Sequence, residues 1–226
     1  MKYNILMPYY NRADQLDRTL LSFEELYSGR NDFEISIIED YKGVTDEKKH
    51  LELVKILQKH SSLWIRLLEF PMEARNPAPL FNWGAGQSKG EYLVLTNPEC
   101  RHKNDVLAGF DEELSKGDVY VVAACESLSK EGKFDRWYQH SKHRSVQYHF
   151  CSCISSDLYF RIGGFPGYFY DGIAYDDDAF LWRVKESDIP IVERDDLIVQ
   201  HQWHPKEKID KELLLLNEMR YKSMVR

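Results

Sequence analysis

Residues 4–12 read Asn4-Ile5-Leu6-Met7-Pro8-Tyr9-Tyr10-Asn11-Arg12, and they set the terms for the rest of the chain. Asn4 to Met7 is an apolar run of strand length, ended by Pro8 and delivered into a polar, aromatic turn. The residues that follow change period: Leu16, Leu20, Phe23 and Tyr27 recur on one helical face. A strand that ends in a polar turn and hands over to an amphipathic helix is half of a strand–helix–strand unit.

The unit repeats downstream. Glu34 to Glu39 is an isoleucine-rich strand, and Asp46 can cap a helix carrying Leu51, Val54 and Leu57. Leu63 to Phe70 reads as a third strand. A helix from Pro79 to Ser88, closed by Gly90, precedes a fourth at Glu91 to Thr96. Asn104 can cap a helix with Val106, Phe110 and Leu114 inward and Gly117 as its stop, before a fifth strand at Asp118 to Ala124. Strands separated by helices predict an α/β fold with a mostly parallel sheet covered on both faces. The second half is less regular. Ser145 to Ile154 reads as a strand and Ser155 to Ile162 as a short helix ending at Gly163-Gly164. Asp176 opens a helix carrying Phe180, Leu181 and Val184. Pro190 to Glu193 and Leu197 to His201 read as two short strands, and Lys206 to Val225 as a closing helix with Ile209, Leu213, Leu216 and Met219 on one face.

The 226 residues suit one domain: residues 1–125 as one half, 126–205 as the other, and 206–226 as the closing helix. A formal charge of −7 offers no basic face for tracking phosphates, so no nucleic-acid partner is expected. Cys100, Cys125, Cys151 and Cys153 match neither a zinc ribbon nor a disulfide framework, and read as small buried side chains. With no secretion signal before Pro8 and no apolar run of membrane-spanning length, the expected setting is the cytoplasm.

In open α/β sheets ligands bind beyond the carboxyl ends of the strands. Three of those ends carry polar groups: Pro8-Tyr9-Tyr10-Asn11, Glu39-Asp40 and Asn97-Pro98-Glu99. One site could gather all three. Four segments then resemble glycosyltransferase family 2, in the family's order. Ile5 to Arg12 is similar to its opening strand and P-x-Y-N turn, and Ile37-Ile38-Glu39-Asp40 to its second strand with an acidic end. Asn82 through Gly90-Glu91-Tyr92 to Glu99 is similar to its helix, G-E-Y strand and metal motif. Ile162-Gly163-Gly164-Phe165 with Tyr175-Asp176-Asp177-Asp178 resembles its G-G-F turn and acceptor-side acidic motif.

The resemblance implies a GT-A fold: a Rossmann-like, mostly parallel central sheet flanked by helices, with a small acceptor-side region. It implies a metal-dependent, inverting transfer of a sugar from a nucleotide-diphosphate sugar, a UDP-sugar by preference, to a glycan or other hydroxyl acceptor in glycan or polysaccharide synthesis. Pro8, Tyr10 and Asn11 would sit at the donor, with Tyr10 as a ring against its base. Asp40 would accept hydrogen bonds from base or ribose, and Asn82 would stand behind or within the donor site. Glu99 would bind a divalent cation, Mn2+ or Mg2+, with His201 (or, less well placed, His204) as a further ligand. The motif departs from the family's two aspartates, because Asn97 offers a neutral amide oxygen where a carboxylate is usual. Asp177 aligns with the catalytic base and Asp176 with its acidic neighbour. Crowded carboxylates raise one another's pKa, which suits a base.

His140, His143 and His149 read as part of a solvated loop, their spacing matching no standard metal site. The closing helix reads as packing its leucines on the domain. Its lysines and arginines also admit a peripheral membrane contact, though Glu207, Asp210, Glu212 and Glu218 dilute the positive face. The altered Asn97-Pro98-Glu99 triplet raises an alternative, a non-catalytic nucleotide- or glycan-binding module. A nucleotidylyltransferase fits poorly, since Pro8 to Arg12 holds no glycine to cradle a triphosphate.

Overall fold

The computed structural model of the chain describes residues 1–40, 47–205 and 208–226. Asp46, read above as a helix cap, lies outside the described residues. The strands are β1 (Tyr3–Tyr9), β2 (Phe33–Glu39), β3 (Ile65–Glu69), β4 (Tyr92–Thr96), β5 (Cys100–His102), β6 (Tyr120–Leu128), β7 (Phe134–Gln139), β8 (Cys151–Ser155) and β9 (Ile191–His201). The helices are α1 (Ala13–Tyr27), α2 (Glu47–Lys59), α3 (Ala78–Gly86), α4 (Val106–Leu114), α5 (Ser156–Arg161), α6 (Asp176–Glu186) and α7 (Lys211–Met224).

One sheet runs β3-β2-β1-β4-β8-β6-β9-β5, with β7 paired to the distal half of β6. β1, β2, β3, β4, β6 and β9 point one way, and β5, β7 and β8 the other, so the sheet is mostly parallel, as expected. Every residue of β1 is buried, because helices cover both of its faces; that is why it reads as a run rather than an alternation. On one face Leu16, Leu20, Phe23 and Tyr27 of α1, Leu53 of α2 and Phe110 of α4 share a core. On the other, Leu80 and Phe81 of α3, Tyr159 of α5 and Phe180 of α6 form a second. All four cysteines are buried free thiols, and Cys151 and Cys153 face the same core. No helix among the described residues is long and apolar enough to cross a membrane.

The chain reverses its order of strand addition between β1 and β4, and the two strands part there. β1 stays paired with β2 as far as Tyr9, but its pairing with β4 stops at Leu6. The missing N–H of Pro8 therefore interrupts no ladder on the β4 side. The gap beyond Leu6 is a crevice at the carboxyl ends of the strands, the place where ligands settle in such sheets.

Several local expectations give way to tertiary structure. Asp105, not Asn104, caps α4, accepting from the Ala108 N–H at 3.0 Å. Asn104 instead holds β9, donating to the Asp196 carbonyl at 2.6 Å and accepting from the Ile198 N–H at 2.9 Å. The two short late strands are one, β9, with a register break opposite Ala123 and Ala124 where the sequence turns acidic. In α2 Leu53 is the buried residue while Leu51 is exposed. α7 docks through an amide, with Leu213 and Leu216 of the expected face half-buried and Ile209 and Met219 exposed. Asn217 is fully buried and donates to the carbonyls of Phe169 and Ala174 at 3.1 and 2.8 Å, while Leu215 and Met219 stay exposed. The backbone of Gly172 comes so close to that amide that a Cβ there would collide with it.

Candidate functional site

A cavity of about 780 Å3 opens over the β1/β4 crevice, in the size range of small-molecule sites. Pro8, Tyr10, Asp40, Asn97, Glu99 and His204 are among its walls. The three polar strand ends thus converge as the sequence suggested. Tyr10 keeps 39% of its surface exposed while Tyr9, pointing the other way along the strand, is buried. Asp40 closes the second wall, its carboxylate accepting from the Ala74 N–H at 3.4 Å.

Asn11 and Asn82 are placed differently. Asn11 makes the turn, with φ of 49°, and its amide oxygen is buried without a hydrogen-bond partner. It does not line the cavity. Asn82 sits behind the site with its amide fully engaged. It accepts from the Tyr159 hydroxyl at 2.6 Å and the Phe165 N–H at 3.0 Å, and donates to the Phe165 carbonyl at 2.8 Å and to Tyr170. It thereby braces the Gly163-Gly164 turn, where both glycines take positive φ and a Cβ on Gly164 would strike the Asn82 oxygen.

At the far end of β4 the short strand β5 decides the geometry. It pairs antiparallel with β9, setting Cys100 opposite His201, and the Gln202 N–H donates to the Glu99 carbonyl at 2.9 Å. This brings Glu99 within 3.5 Å of His201 Nε2 and 3.8 Å of His204 Nε2. One ligand atom from each of the three lies within 4.8 Å of the others, an arrangement that fits a single cation with coordination positions left open. Both histidines considered from the sequence join the cluster. Burial alone would raise the Glu99 carboxyl, but the imidazole of His201 and the charge of both histidines outweigh it and hold the pKa below the ordinary value. The His201 ring is fixed by packing against Tyr138, Phe150 and His204.

The second group of carboxylates opens α6. Ala174 and Tyr175 enter it in the left-handed region, with φ of 59° and 62°, an unusual pair of non-glycine residues that the Asn217–Ala174 hydrogen bond helps to hold. Asp176 is buried, with Oδ2 unpartnered; burial first, then the neighbouring Asp177 carboxylate, pushes it up to about 7. Asp177 is pushed up to about 7 by burial and by Asp178, although its side chain keeps 37% exposure and solvent screens part of that shift. Asp178 accepts from the Tyr148 hydroxyl at 2.5 Å.

His149 contradicts the solvated-loop expectation. It is 3% exposed, its Nε2 lies 3.0 Å from Asp177 Oδ1, and burial depresses its pKa to about 4, so it is neutral near pH 7. His140 is half-buried against the Trp137 ring and His143 is exposed, so the three histidines do not act as a cluster. Nothing local in the sequence marks His149 for burial, because Phe81, Phe165 and Phe180, the rings around it, come from three distant segments.

Comparison with known proteins bears on the family and the fold. Residues 4–174, more than half of the chain, match the model of glycosyl transferase family 2. No curated protein sequence matches. Among solved structures, residues 1–349 of S. aureus TarS in complex with UDP-GlcNAc superpose with a TM-score of 0.72 at 14% identity, over 92% of this chain and 60% of that one. The mannosyltransferase PcManGT from Pyrobaculum calidifontis, in complex with GDP-Man and Mn2+, gives 0.70 at 16% identity, over 98% of this chain and 64% of that one. The chain thus spans less than two thirds of the length of either structure, and the likeness is one of fold. The fold is GT-A, and the family match over residues 4–174 makes this chain a member of glycosyl transferase family 2.

Proposed function

We propose that the chain transfers a sugar from a nucleoside-diphosphate sugar to a hydroxyl acceptor, with inversion and with the help of a divalent cation. The observation that carries this reading is the cavity itself, which sets an exposed tyrosine ring and a buried carboxylate, Tyr10 and Asp40, on the same wall system as Glu99 and His204. Tyr10 would stack on the donor base and Asp40 would accept its hydrogen bonds, or those of the ribose. A cation held by Glu99, His201 and His204 would neutralise the departing diphosphate. Two imidazoles beside one carboxylate favour Mn2+ over Mg2+, which prefers all-oxygen surroundings.

Asp177 is the group assigned to the acceptor. Of the three carboxylates it alone combines a raised pKa with an open side, since Asp176 is enclosed and Asp178 is held by Tyr148. It would take the hydroxyl proton as the acceptor oxygen attacks, and it is poised to ionise near neutral pH. The TarS complex with UDP-GlcNAc and the PcManGT complex with GDP-Man and Mn2+ support both the donor class and the ion, with UDP-sugars first in line.

The alternative, a binding module without turnover, draws on Asn97 standing where a second acidic ligand is usual. The test is slow donor hydrolysis. UDP- and GDP-sugars are incubated with the protein and Mn2+, and free nucleoside diphosphate is measured. Release from one donor, lost with chelator, is expected; nucleotide binding with no release from any donor would leave the binding module.

A further inference from the structure

A valine has the shape of Thr19 and would bury no hydroxyl. Thr19 is fully buried on the face of α1 that carries Leu16, Leu20 and Phe23. A hydroxyl there gives up its water and must recover hydrogen-bond partners from the protein. In a helix interior such a group commonly turns back to a carbonyl of its own preceding turn. Thr19 reaches across the molecule instead. Its Oγ1 donates to the Pro98 carbonyl at 2.7 Å and accepts from Gln202 Nε2 at 3.0 Å. Gln202 is itself buried with its amide fully used, since Nε2 also donates to the Gln15 carbonyl at 3.0 Å and Oε1 accepts from Arg18 Nε. These partners bracket the cluster of Glu99, His201 and His204: Pro98 precedes Glu99, and Gln202 follows His201.

We propose that Thr19 is a positioning residue for the cation site, its single hydroxyl tying the chain that carries Glu99 to the chain that carries His201 and His204. This rests on the reading of those three residues as cation ligands. Glu99 lies between β4 and β5, whereas His201 ends β9, a strand that β8 and β6 separate from β4 in the sheet. Two devices join these stretches. One is the pairing of β5 with β9, extended by the Gln202 N–H that donates to the Glu99 carbonyl at 2.9 Å. The other is Thr19, which acts from the helix above and supplies no ligand itself. Without its hydroxyl the Pro98 carbonyl loses a donor and one N–H of the Gln202 amide loses its acceptor, so both stretches are free to shift. A cation needs the carboxylate and both imidazoles at once, so a small shift of either stretch weakens it. Ser22 supplies an internal contrast. It too spends a buried hydroxyl on β5, accepting from the His102 N–H at 3.1 Å and donating to the Thr19 carbonyl at 2.7 Å, but at the end of β5 away from Glu99.

The test uses the full chain and Mn2+ alone, with the free ion followed by electron paramagnetic resonance and Tm measured beside it. Thr19→Val keeps the branched shape and removes the hydroxyl. It is expected to fold and to bind Mn2+ about 10-fold more weakly than wild type. Thr19→Ser returns the hydroxyl and is expected to restore most of the affinity. Ser22→Ala removes a buried hydroxyl from the same helix, and is expected to lower Tm while leaving Mn2+ affinity as in wild type. The proposal is overturned by wild-type affinity in Thr19→Val, by Thr19→Ser being no better than Thr19→Val, or by an equal loss in Ser22→Ala, which would make any loosening of α1 sufficient. Failure of wild type to bind Mn2+ alone would also overturn it, because a site already assembled by the chain needs no donor to complete it. Glu99→Ala separates the two readings. Wild-type affinity in that variant would remove the cation site and the proposal together, whereas loss there with none in Thr19→Val would remove the positioning role alone. Should Thr19→Val fail to fold, Gln202→Met, which keeps the side-chain length and removes the amide, carries the same expectation, and unchanged affinity in it overturns the proposal.

Discussion

Glu99 lines the cavity and Asp177 is not among its lining residues, and the two carboxylates are held by different means. Glu99 is set by sheet pairing: β5 against β9 carries it to His201 and His204, and the two imidazoles keep its pKa low. Asp177 is set by a helix start, with the buried His149 Nε2 3.0 Å from its Oδ1, and its surroundings push its pKa up. One carboxylate is kept ionised, as a cation ligand must be; the other titrates near neutrality, as a proton acceptor must. The contrast comes from the surroundings, two imidazoles in one case, burial and the Asp178 carboxylate in the other.

The largest effect should follow from removing the charge at the helix end. Asp177→Asn is expected to lower transfer or donor hydrolysis by about 10²–10⁴-fold while nucleotide binding stays as it was. Equal rates in the two proteins would break the comparison, since Asp177 would then be one more helix-capping carboxylate.

Legibility in the sequence divides along the same line. The parallel strands β1 to β4 and β6, α1 and the acidic start of α6 are read correctly because each has a local cause: an apolar run, a helical period, or a carboxylate where a helix begins. Pro8, Tyr10, Asp40 and Glu99 are legible as strand ends and do meet in the cavity. β5 is missed because Cys100–His102 is too short to show any period, yet it is the element that brings Glu99 to His201. β7 is missed because most of Phe134–Gln139 lies on the surface and carries no buried alternation. His149 and Asn217 are polar residues whose burial depends wholly on chain brought from elsewhere, so hydropathy points the wrong way for both.

A smaller effect separates Asp176 from Asp177 by stability. A buried carboxyl whose folded pKa is raised from 3.8 to about 7 binds a proton that the unfolded chain has released, so stability falls as pH climbs through that interval. Asp176→Asn should therefore be more stable than wild type at about pH 8, by on the order of a few kcal/mol at most, with a correspondingly higher Tm, and the gain should fade toward about pH 4. Thermal melts at the two pH values check it. A gain of the same size at both would show that the ionisation of Asp176 is not what destabilises the fold.

The central claim is that Glu99, His201 and His204 hold a cation beside a nucleotide bound at Tyr10 and Asp40. It is tested most directly by calorimetric titration of UDP and GDP into wild type and Glu99→Ala, with Mn2+ and with chelator. The account predicts that one nucleoside diphosphate binds wild type in the presence of Mn2+, and that chelation or the substitution removes this binding. Binding of equal strength under all four conditions, or no binding of either nucleotide, would contradict it.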